Sequence, residues 1–401
     1  MSNFLGDALR LKRRFLRSVS LERDGRNGTG LEGYIPTSSA LSAKARIESA
    51  LENPSLRAVT LTGPYGTGKS AFALYLADQL ASPSGAKSRG LLPVLITGGR
   101  ESMIPALMRN LDASVYGQVS LENQNLTAKE AAERFLQAAK DVRRKSKKHH
   151  GLLVIVDELG KFLEFAAQYP ERSDLQFLQE VAEMAARSGD APVIFVTVLH
   201  QAFDEYAHRL SSVQRAEWQK IQGRFVDIPF GDSSEEVVRL IGRAFETEGT
   251  FDFALARTGV QAEQSRSLGV LPRGFDDVRE VGSVFASAFG LHPLTLLALP
   301  FLFKRFAQSE RTLFAFLGEE DPQGFGTYIR EQPVTSQYRI DTLFDYVTAA
   351  LGSALYSAPG YGKLWSQIQE SVARCENRGD ALESRVVKTI GLLHLLGESS
   401  R

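Results

Sequence analysis

The feature that most constrains the fold of this chain is a glycine-rich stretch, Gly-x-x-x-x-Gly-Lys-Ser, at residues 63–70. Residues 57–62, just before it, are rich in β-branched and apolar side chains, whereas residues 69–80 have a helical pattern. Glycines let a backbone curl so that successive N–H groups point inward, where they can hold an anion. The stretch therefore predicts a strand, a phosphate-binding loop and a helix in succession.

This spacing fits the P-loop pattern at every fixed position. The N-terminus of the following helix also favours an anion. We expect Lys69 to reach the β- and γ-phosphates of a nucleotide and the Ser70 hydroxyl to bind Mg²⁺. The residues predicted to bind the nucleotide are Gly63, Pro64, Tyr65, Gly66, Thr67, Gly68, Lys69, Ser70 and Ala71.

Two carboxylates, Asp157 and Glu158, follow the apolar run 152–156. A buried strand that ends in two acidic residues is costly unless they face a polar site. The carboxyl ends of parallel strands converge, so this pair is expected close to the glycine-rich loop. Asp157 is then predicted to hold the Mg²⁺ shell and Glu158 to orient or deprotonate an attacking water. The alternative is two solvated residues at a strand end.

The order of the predicted elements indicates the fold class. Strands are predicted at 57–62, 91–97, 152–156, 192–198 and 224–228, with helical patterns between them. Unbroken apolar strands separated by helices predict a parallel sheet that is covered on both faces. From residue 233 onward the pattern is helical only, with a Gly- and Arg-rich connection within 255–285. We therefore predict an α/β core followed by an all-α region.

Four segments follow from this pattern. They are an N-terminal lead-in (1–56), a P-loop core (57–232), a helical segment (233–335) and a C-terminal helical region (336–401).

Composition excludes several other classes of protein. Lys+Arg and Asp+Glu are both 47, so the net charge does not indicate nucleic acid or an acidic membrane as a partner. The single cysteine, Cys375, excludes an internal disulfide or a multi-cysteine metal site. Charges interrupt every apolar run near the N-terminus. The sequence also contains no run of about 18 apolar residues, the length needed to span a membrane. A cytoplasmic protein without a membrane partner is expected.

Together, these motifs resemble those of AAA+ and STAND P-loop ATPases, in particular the origin-recognition-like branch, over residues 40–310. The resemblance implies ATP with Mg²⁺, hydrolysis by the Asp-Glu pair, a homo-oligomer, and a helical lid formed by residues 233–335. The guanine-reading motif Asn-Lys-x-Asp is absent from the sequence.

The resemblance implies further site residues. In AAA+ proteins a polar residue at the end of the fourth strand contacts the γ-phosphate or the attacking water, and Thr197 and His200 are both candidates. An arginine before the last core strand reaches a γ-phosphate in a neighbouring subunit; Arg224 is the first choice and Arg215 the second. Whether Arg224 acts in cis or in trans stays open. The alternatives are that Thr197 is an ordinary threonine at a strand end, that His200 is an ordinary loop histidine, and that the arginine forms an ion pair on the surface.

Residues 290–295 resemble the Gly-x-Pro lid motif of STAND ATPases, in which His292 could hydrogen-bond the β-phosphate. A helix that begins at Pro293 would account for the same residues without a role in nucleotide binding. The apolar final helix, around residues 386–396, resembles the start of a winged-helix domain. On that resemblance the chain is expected to be the N-terminal part of a longer protein.

Three further features have more than one interpretation. The basic run 143–150 fits either a solvated helix end or a nucleic-acid contact. Arg100 follows the second strand and could face either the phosphates or a substrate. Lys161 could pair with Glu158 or cap the turn.

The sequences of residues 63–74, 157–164, 199–203 and 223–230 resemble those of large bacterial ATPases of anti-phage defence systems. This resemblance favours a regulated ATPase switch that controls a protein effector or a co-encoded defence partner. The alternative is an ATP-gated, DNA-binding loader of the origin-recognition type. A small-molecule kinase is a third interpretation, against which the large helical segment and the region of Arg224 argue.

Overall fold

The computed structural model describes residues 4–12, 21, 34–64, 67–82, 90–119, 126–200, 220–247, 251–306, 311–318, 321–357 and 360–397. The chain divides into two compact units. We call Val19–Gly231 the sheet unit, and Met1–Ser18 together with Asp232–Arg401 the helical unit.

The described strands, in chain order, are β1 (Leu9–Leu11), β2 (Ala58–Thr62), β3 (Gly90–Thr97), β4 (His149–Asp157), β5 (Val193–Leu199), β6 (Val226–Pro229) and β7 (Phe245–Thr247). The described α-helices are α1 (Leu5–Ala8), α2 (Ser38–Glu48), α3 (Lys69–Ala81), α4 (Met103–Tyr116), α5 (Ala128–Lys145), α6 (Leu159–Gln168), α7 (Gln176–Ala186), α8 (Ser234–Ala244), α9 (Phe251–Ser267), α10 (Val278–Ser287), α11 (Pro293–Phe306), α12 (Arg311–Gly318), α13 (Phe325–Glu331), α14 (Ile340–Ser357), α15 (Gly362–Arg378) and α16 (Ala381–Gly397).

The sheet unit contains a parallel sheet with the strand order β3-β4-β5-β2-β6. The predicted parallel sheet is thereby confirmed, and all five of its strands lie where the apolar runs indicate. The order places β5 between β2 and β4, with Thr197 opposite both Thr60 and Val156. The carboxyl end of β5 therefore lies between the end of the strand that precedes the glycine-rich loop and the end of the strand that carries the acidic pair.

Both faces of this sheet are buried, as the unbroken apolar strands require. Because side chains alternate along a strand, Val154 and Val156 face one core, which they share with α4, α5, α6 and α7. Leu153 and Ile155 face the other core, which they share with α2 and α3. Helix α2 is capped by Thr37, whose hydroxyl accepts a hydrogen bond from the Ala40 N–H at 3.2 Å.

The helical unit is built around a single hydrophobic core, to which α8–α16 contribute. The described parts of the segments 233–335 and 336–401 share this core. It also includes Leu5 and Leu9 from the N-terminus, where β1 pairs antiparallel with β7. The purely helical pattern predicted beyond residue 233 misses β7. The Gly- and Arg-rich connection predicted within 255–285 lies between α9, which ends at Ser267, and α10, which begins at Val278.

Helices α14, α15 and α16 pack on one another at the end of the described chain. That they begin a winged-helix domain stays a prediction. Among the described helices, none combines the length and the apolar character needed to cross a membrane.

Candidate functional site

The glycine-rich loop connects β2 to α3, and its two fixed glycines are required by the backbone. A Cβ on Gly63 would lie 1.9 Å from the carbonyl oxygen of Phe230, a separation that no larger residue could accept. Gly68 caps α3 with φ 77°, in the left-handed region that favours glycine. Tyr65 and Gly66 lie outside the described residues.

Lys69, the first residue of α3, lies inside the loop and is 3% exposed. Its ammonium donates hydrogen bonds to the carbonyl oxygens of Gly63 at 2.7 Å and Pro64 at 2.6 Å, and to the hydroxyl of Thr67 at 3.3 Å. The loop backbone thus holds the lysine charge on its inner side, where phosphates are predicted to bind.

Asp157 ends β4 and is 4% exposed. Burial raises the pKa of its carboxyl, while a hydrogen bond from Ser70, one from the Glu158 N–H and the charge of Lys69 act in the opposite direction. The bond from the Glu158 N–H is 2.8 Å long. The Ser70 side chain therefore contacts the first carboxylate of the acidic pair.

This pair of oxygen ligands fits Mg²⁺, which binds proteins through one or two carboxylates and completes its shell with water and substrate phosphates. A carboxylate whose charge is disfavoured by burial gains from a cation beside it. Within the described part of the chain, no group of three or more His, Cys, Asp or Glu side chains could hold a metal ion. That Ser70 and Asp157 bind Mg²⁺ stays a prediction.

Glu158 has φ 52° and ψ 39°, and it is the one non-glycine residue in the described chain with positive φ. It caps α6, and its carboxylate forms an ion pair with the ammonium of Lys161. The turn is packed closely against the end of β3: a Cβ on Gly98 would lie 2.1 Å from the Glu158 carbonyl oxygen. Of the two interpretations of Lys161, the structure shows the pair with Glu158.

The two candidates at the end of β5 occupy different environments. His200 follows the strand, and its pKa is lowered to about 4 by burial and by the charges of Lys69 and Lys161. It therefore lies within electrostatic reach of both lysines and is neutral at pH 7. Thr197 is fully buried, and its hydroxyl is hydrogen-bonded to the Thr60 hydroxyl at 2.9 Å within the sheet.

Arg224 lies at the opposite edge of the sheet from the loop. It precedes β6, in which Val226 pairs with Val59 and Pro229 with Thr62. Arg224 lies in the turn before the amino end of β6, whereas the glycine-rich loop follows the carboxyl end of β2. The cis alternative for Arg224 does not fit this geometry. Its guanidinium pairs instead with Glu183 at 2.5 Å, the surface ion pair weighed from the sequence. Arg215 lies outside the described residues.

His292 belongs to the helical unit, where it precedes α11. Its Nδ1 accepts a hydrogen bond from the Leu294 N–H at 3.3 Å. Its pKa is lowered to about 4 by burial and by the charges of Arg339 and Arg257. The helix-start interpretation is therefore present in the structure, and a contact with the β-phosphate stays a prediction.

Two residues near the site have no assigned role from the sequence. Gly98 donates its N–H to the Asp157 carbonyl oxygen at 2.8 Å, and its signal is the glycine pair that directly follows the second predicted strand. Thr60 has no such signal, because its bond to Thr197 depends on which strands are neighbours. Arg100 lies at the surface, 80% exposed and 4.0 Å from Glu164.

No protein-family model matches the sequence, and no curated protein matches it. Among solved structures, the chain is similar to the Aeropyrum pernix ORC1 protein in complex with DNA, with 12% identity and a TM-score of 0.39 over 92% of this chain and 77% of that chain. It is also similar to the Aeropyrum pernix ORC2 protein (ADPNP-ADP complexes), with 13% identity and a TM-score of 0.41 over 97% of this chain and 91% of that chain. At these TM-scores the likeness carries no functional inference.

Proposed function

We propose that this chain is an Mg²⁺-dependent ATPase that converts ATP and water to ADP and phosphate. The observation that carries the proposal is the hydrogen bond between Ser70 and Asp157, which joins two motifs from distant parts of the sequence at one sheet edge. Lys69 and Glu158 flank this bond. A chance glycine-rich turn would have no reason to meet a buried carboxylate there.

Binding of the nucleotide follows from the loop. Its backbone N–H groups and the N-terminus of α3 favour the phosphates, and the Lys69 ammonium exchanges its bonds to loop oxygens for bonds to phosphate oxygens. Ser70 and Asp157 would hold Mg²⁺, which when bound neutralises charge on the phosphates.

Glu158 and His200 are the residues we assign to the hydrolytic step. Glu158 accepts a proton from the attacking water, and the water oxygen then displaces ADP from the terminal phosphorus. His200, between the two motifs and neutral at pH 7, hydrogen-bonds the terminal phosphate or the water. The hydroxyl of Thr197 is already used within the sheet, so we favour His200 as the sensor.

ATP rather than GTP is proposed because the guanine-reading motif is absent. The test is phosphate release from the purified chain with ATP or GTP, with and without a chelator of Mg²⁺. Release that depends on ATP and Mg²⁺ supports the proposal. Equal release with GTP would contradict the choice of nucleotide, and transfer of phosphate to an added small molecule would favour a kinase instead.

The wider role that we propose is a switch of the AAA+/STAND type in anti-phage defence, acting on a protein effector or co-encoded partner. The support for this role is the sequence resemblance, to anti-phage defence ATPases, of the four segments that include the loop, the acidic pair, His200 and Arg224. In a homo-oligomer, Arg224 would act in trans on the site of a neighbouring subunit. Plaque counts on cells carrying the chain with its neighbouring genes test this role; equal protection by wild type and Lys69→Ala would contradict it.

A second candidate is an ATP-gated DNA-binding loader, and one surface favours it. Lys140, Arg143 and Arg144, near the end of α5, line an open depression of about 500 Å³ together with Ser188, Asp190 and Ala191. Arg143 pairs with Asp190 at 3.2 Å and Arg144 with Asp141 at 3.1 Å, so the cations there outnumber the acids only modestly. Phosphate contacts make DNA binding strongly salt-dependent. No binding of duplex DNA at low salt, and no effect of DNA on ATP turnover, would exclude this candidate.

A further inference from the structure

Lys161 has no role in the function proposed above, although it lies beside the acidic pair. It is in the first turn of α6, where its backbone N–H donates to the Glu158 carbonyl oxygen at 3.0 Å. Its ammonium forms an ion pair with Oε2 of the Glu158 carboxylate. Both the backbone and the side chain of Lys161 therefore hold the same residue.

Local stability does not explain this arrangement. A cation in the first turn of a helix opposes the helix dipole, which favours acidic residues there. Glu158 itself adopts a left-handed conformation that a residue with a side chain rarely accepts. An ion pair between two side chains that are 30% and 47% exposed contributes little in return. Locally unfavourable choices that persist together are typical of functional sites.

Lys161 is also electrostatically part of the site. Its charge is one of the two that act on His200, and the other is that of Lys69 inside the loop. The Glu158 N–H is in turn hydrogen-bonded to Asp157. Lys161 thus lies next to the side chains to which hydrolysis is assigned, and not on a remote part of α6.

We propose that Lys161 is a positioning residue, which holds one carboxylate oxygen of Glu158 so that the other, Oε1, faces the attacking water. This inference rests on the proposed ATPase function. As the water oxygen bonds to phosphorus, the bond to ADP breaks with its electron pair going to ADP, and the water proton passes to Oε1. The proton then leaves with the released phosphate. Without the lysine, the half-exposed carboxylate samples other rotamers and is aligned for a smaller fraction of the time.

The first experiment compares Lys161→Met and Lys161→Arg with wild type in steady-state ATP hydrolysis. We expect Lys161→Met to lower kcat about tenfold with KM for ATP within about twofold, since the lysine orients the carboxylate and does not bind the nucleotide. Lys161→Arg keeps the cation and is expected to restore most of kcat. The matched control is Lys44→Met, which removes a similar exposed pair, Lys44 with Glu48 at 2.6 Å on α2, and leaves kcat unchanged.

The second experiment repeats Lys161→Met in a Glu158→Gln background under single-turnover conditions. A residue that acts only through the carboxylate causes no further loss once the carboxylate is gone. A further tenfold loss in the double variant would overturn the proposal, as would an unchanged or raised kcat in Lys161→Met alone. Thermal unfolding checks that each variant is folded, and Lys161→Gln replaces Lys161→Met if that variant is not.

The two proposals fail in different ways. If wild type releases no phosphate from ATP, the ATPase function itself is contradicted. If wild type is active and Lys161→Met matches it, only the role of Lys161 is contradicted.

Discussion

The two edges of the parallel sheet differ in how their buried charged side chains are surrounded. At the amino edge, the Arg57 side chain is buried, and its hydrogen-bond partners are uncharged. Its guanidinium donates to the Ala50 carbonyl oxygen at 3.2 Å, the Ser188 hydroxyl at 2.9 Å and the Gly189 carbonyl oxygen at 3.0 Å. These bonds tie the start of β2 to the loop before β5.

At the carboxyl edge, by contrast, several ionisable side chains lie close to one another. Asp157 is buried with a raised pKa, His200 has a lowered pKa, and Glu158 occupies a left-handed turn. Each arrangement is unfavourable to the fold by itself, and such clusters of perturbed groups mark functional sites. The sheet therefore carries the hydrogen bonds of Arg57 at one edge and the candidate site at the other.

The largest effect is expected from Lys69→Ala at the carboxyl edge. Removing the ammonium deletes the one charge inside the loop, so ATP affinity should fall more than 100-fold, or roughly 3 kcal/mol of binding free energy. Titration of a fluorescent ATP analogue measures this, with Ser39→Ala in the same unit as a control. Tight ATP binding by Lys69→Ala would break the assignment of the loop.

Glu158→Gln should separate binding from turnover at the same edge. The amide keeps the size of the side chain but no longer accepts a proton, so kcat should fall about 10²- to 10³-fold while ATP still binds. Nucleotide binding and phosphate release are measured on the same preparation. An unchanged kcat would move the base to another residue, and a loss of binding would show that Glu158 supports the loop.

At the amino edge, Arg57 should affect stability alone. Arg57→Met removes four side-chain hydrogen bonds and leaves buried acceptors behind, at a cost of about 2–4 kcal/mol in the free energy of unfolding. Arg224→Met, at the same edge, should cost less than about 1 kcal/mol because its ion pair is exposed. Urea unfolding measures both variants. If folded Arg57→Met lost turnover, the division between the two edges would not hold.

The smallest effect is a pH dependence of stability. The pKa of His200 is lowered from 6.5 to about 4, so as the pH falls the unfolded chain takes up this proton before the folded chain does. Stability should therefore decrease as the pH drops from about 6.5 to about 4. His200→Gln should remove about 1–2 kcal/mol of this decrease. His292→Gln is the matched test in the helical unit, since the pKa of His292 is lowered to about 4 as well. Urea unfolding at several pH values measures this, and an unchanged pH dependence in His200→Gln would contradict the neutral histidine.

The sequence predicts the central part of the site because its signals are local. The loop spacing and the acidic pair each follow an apolar run, and parallel strands bring such ends together whatever their order. The strand order itself cannot be derived from the sequence. That order decides that Thr197 bonds to Thr60, which could not be anticipated. The position of Arg224 at the amino edge follows instead from its place before a parallel strand.

The helical unit shows a second limit. Helix α9 contains Thr258 and Gly259, which favour a connection when considered locally. In the structure the Thr258 hydroxyl donates to the Ala254 carbonyl oxygen at 2.7 Å and to the Gly282 carbonyl oxygen at 3.1 Å. A Cβ on Gly282 would lie 3.5 Å from the Cα of Gly259, so the small residues let α9 and α10 pack closely. Tertiary packing overrides propensity here, and the pairing of β1 with β7 likewise depends on residues far apart in the chain.

The close approach of Gly63 to Phe230 has a mechanical consequence. The Phe230 N–H donates to the Thr62 carbonyl oxygen at 2.6 Å, and the Phe230 ring packs on that of Phe72 in α3, with centroids 4.8 Å apart. Phe230 is also the residue before Gly231, where the chain leaves the sheet unit. The start of the loop and the last residues of the sheet unit are therefore held directly against each other, so we expect a displacement of one to move the other.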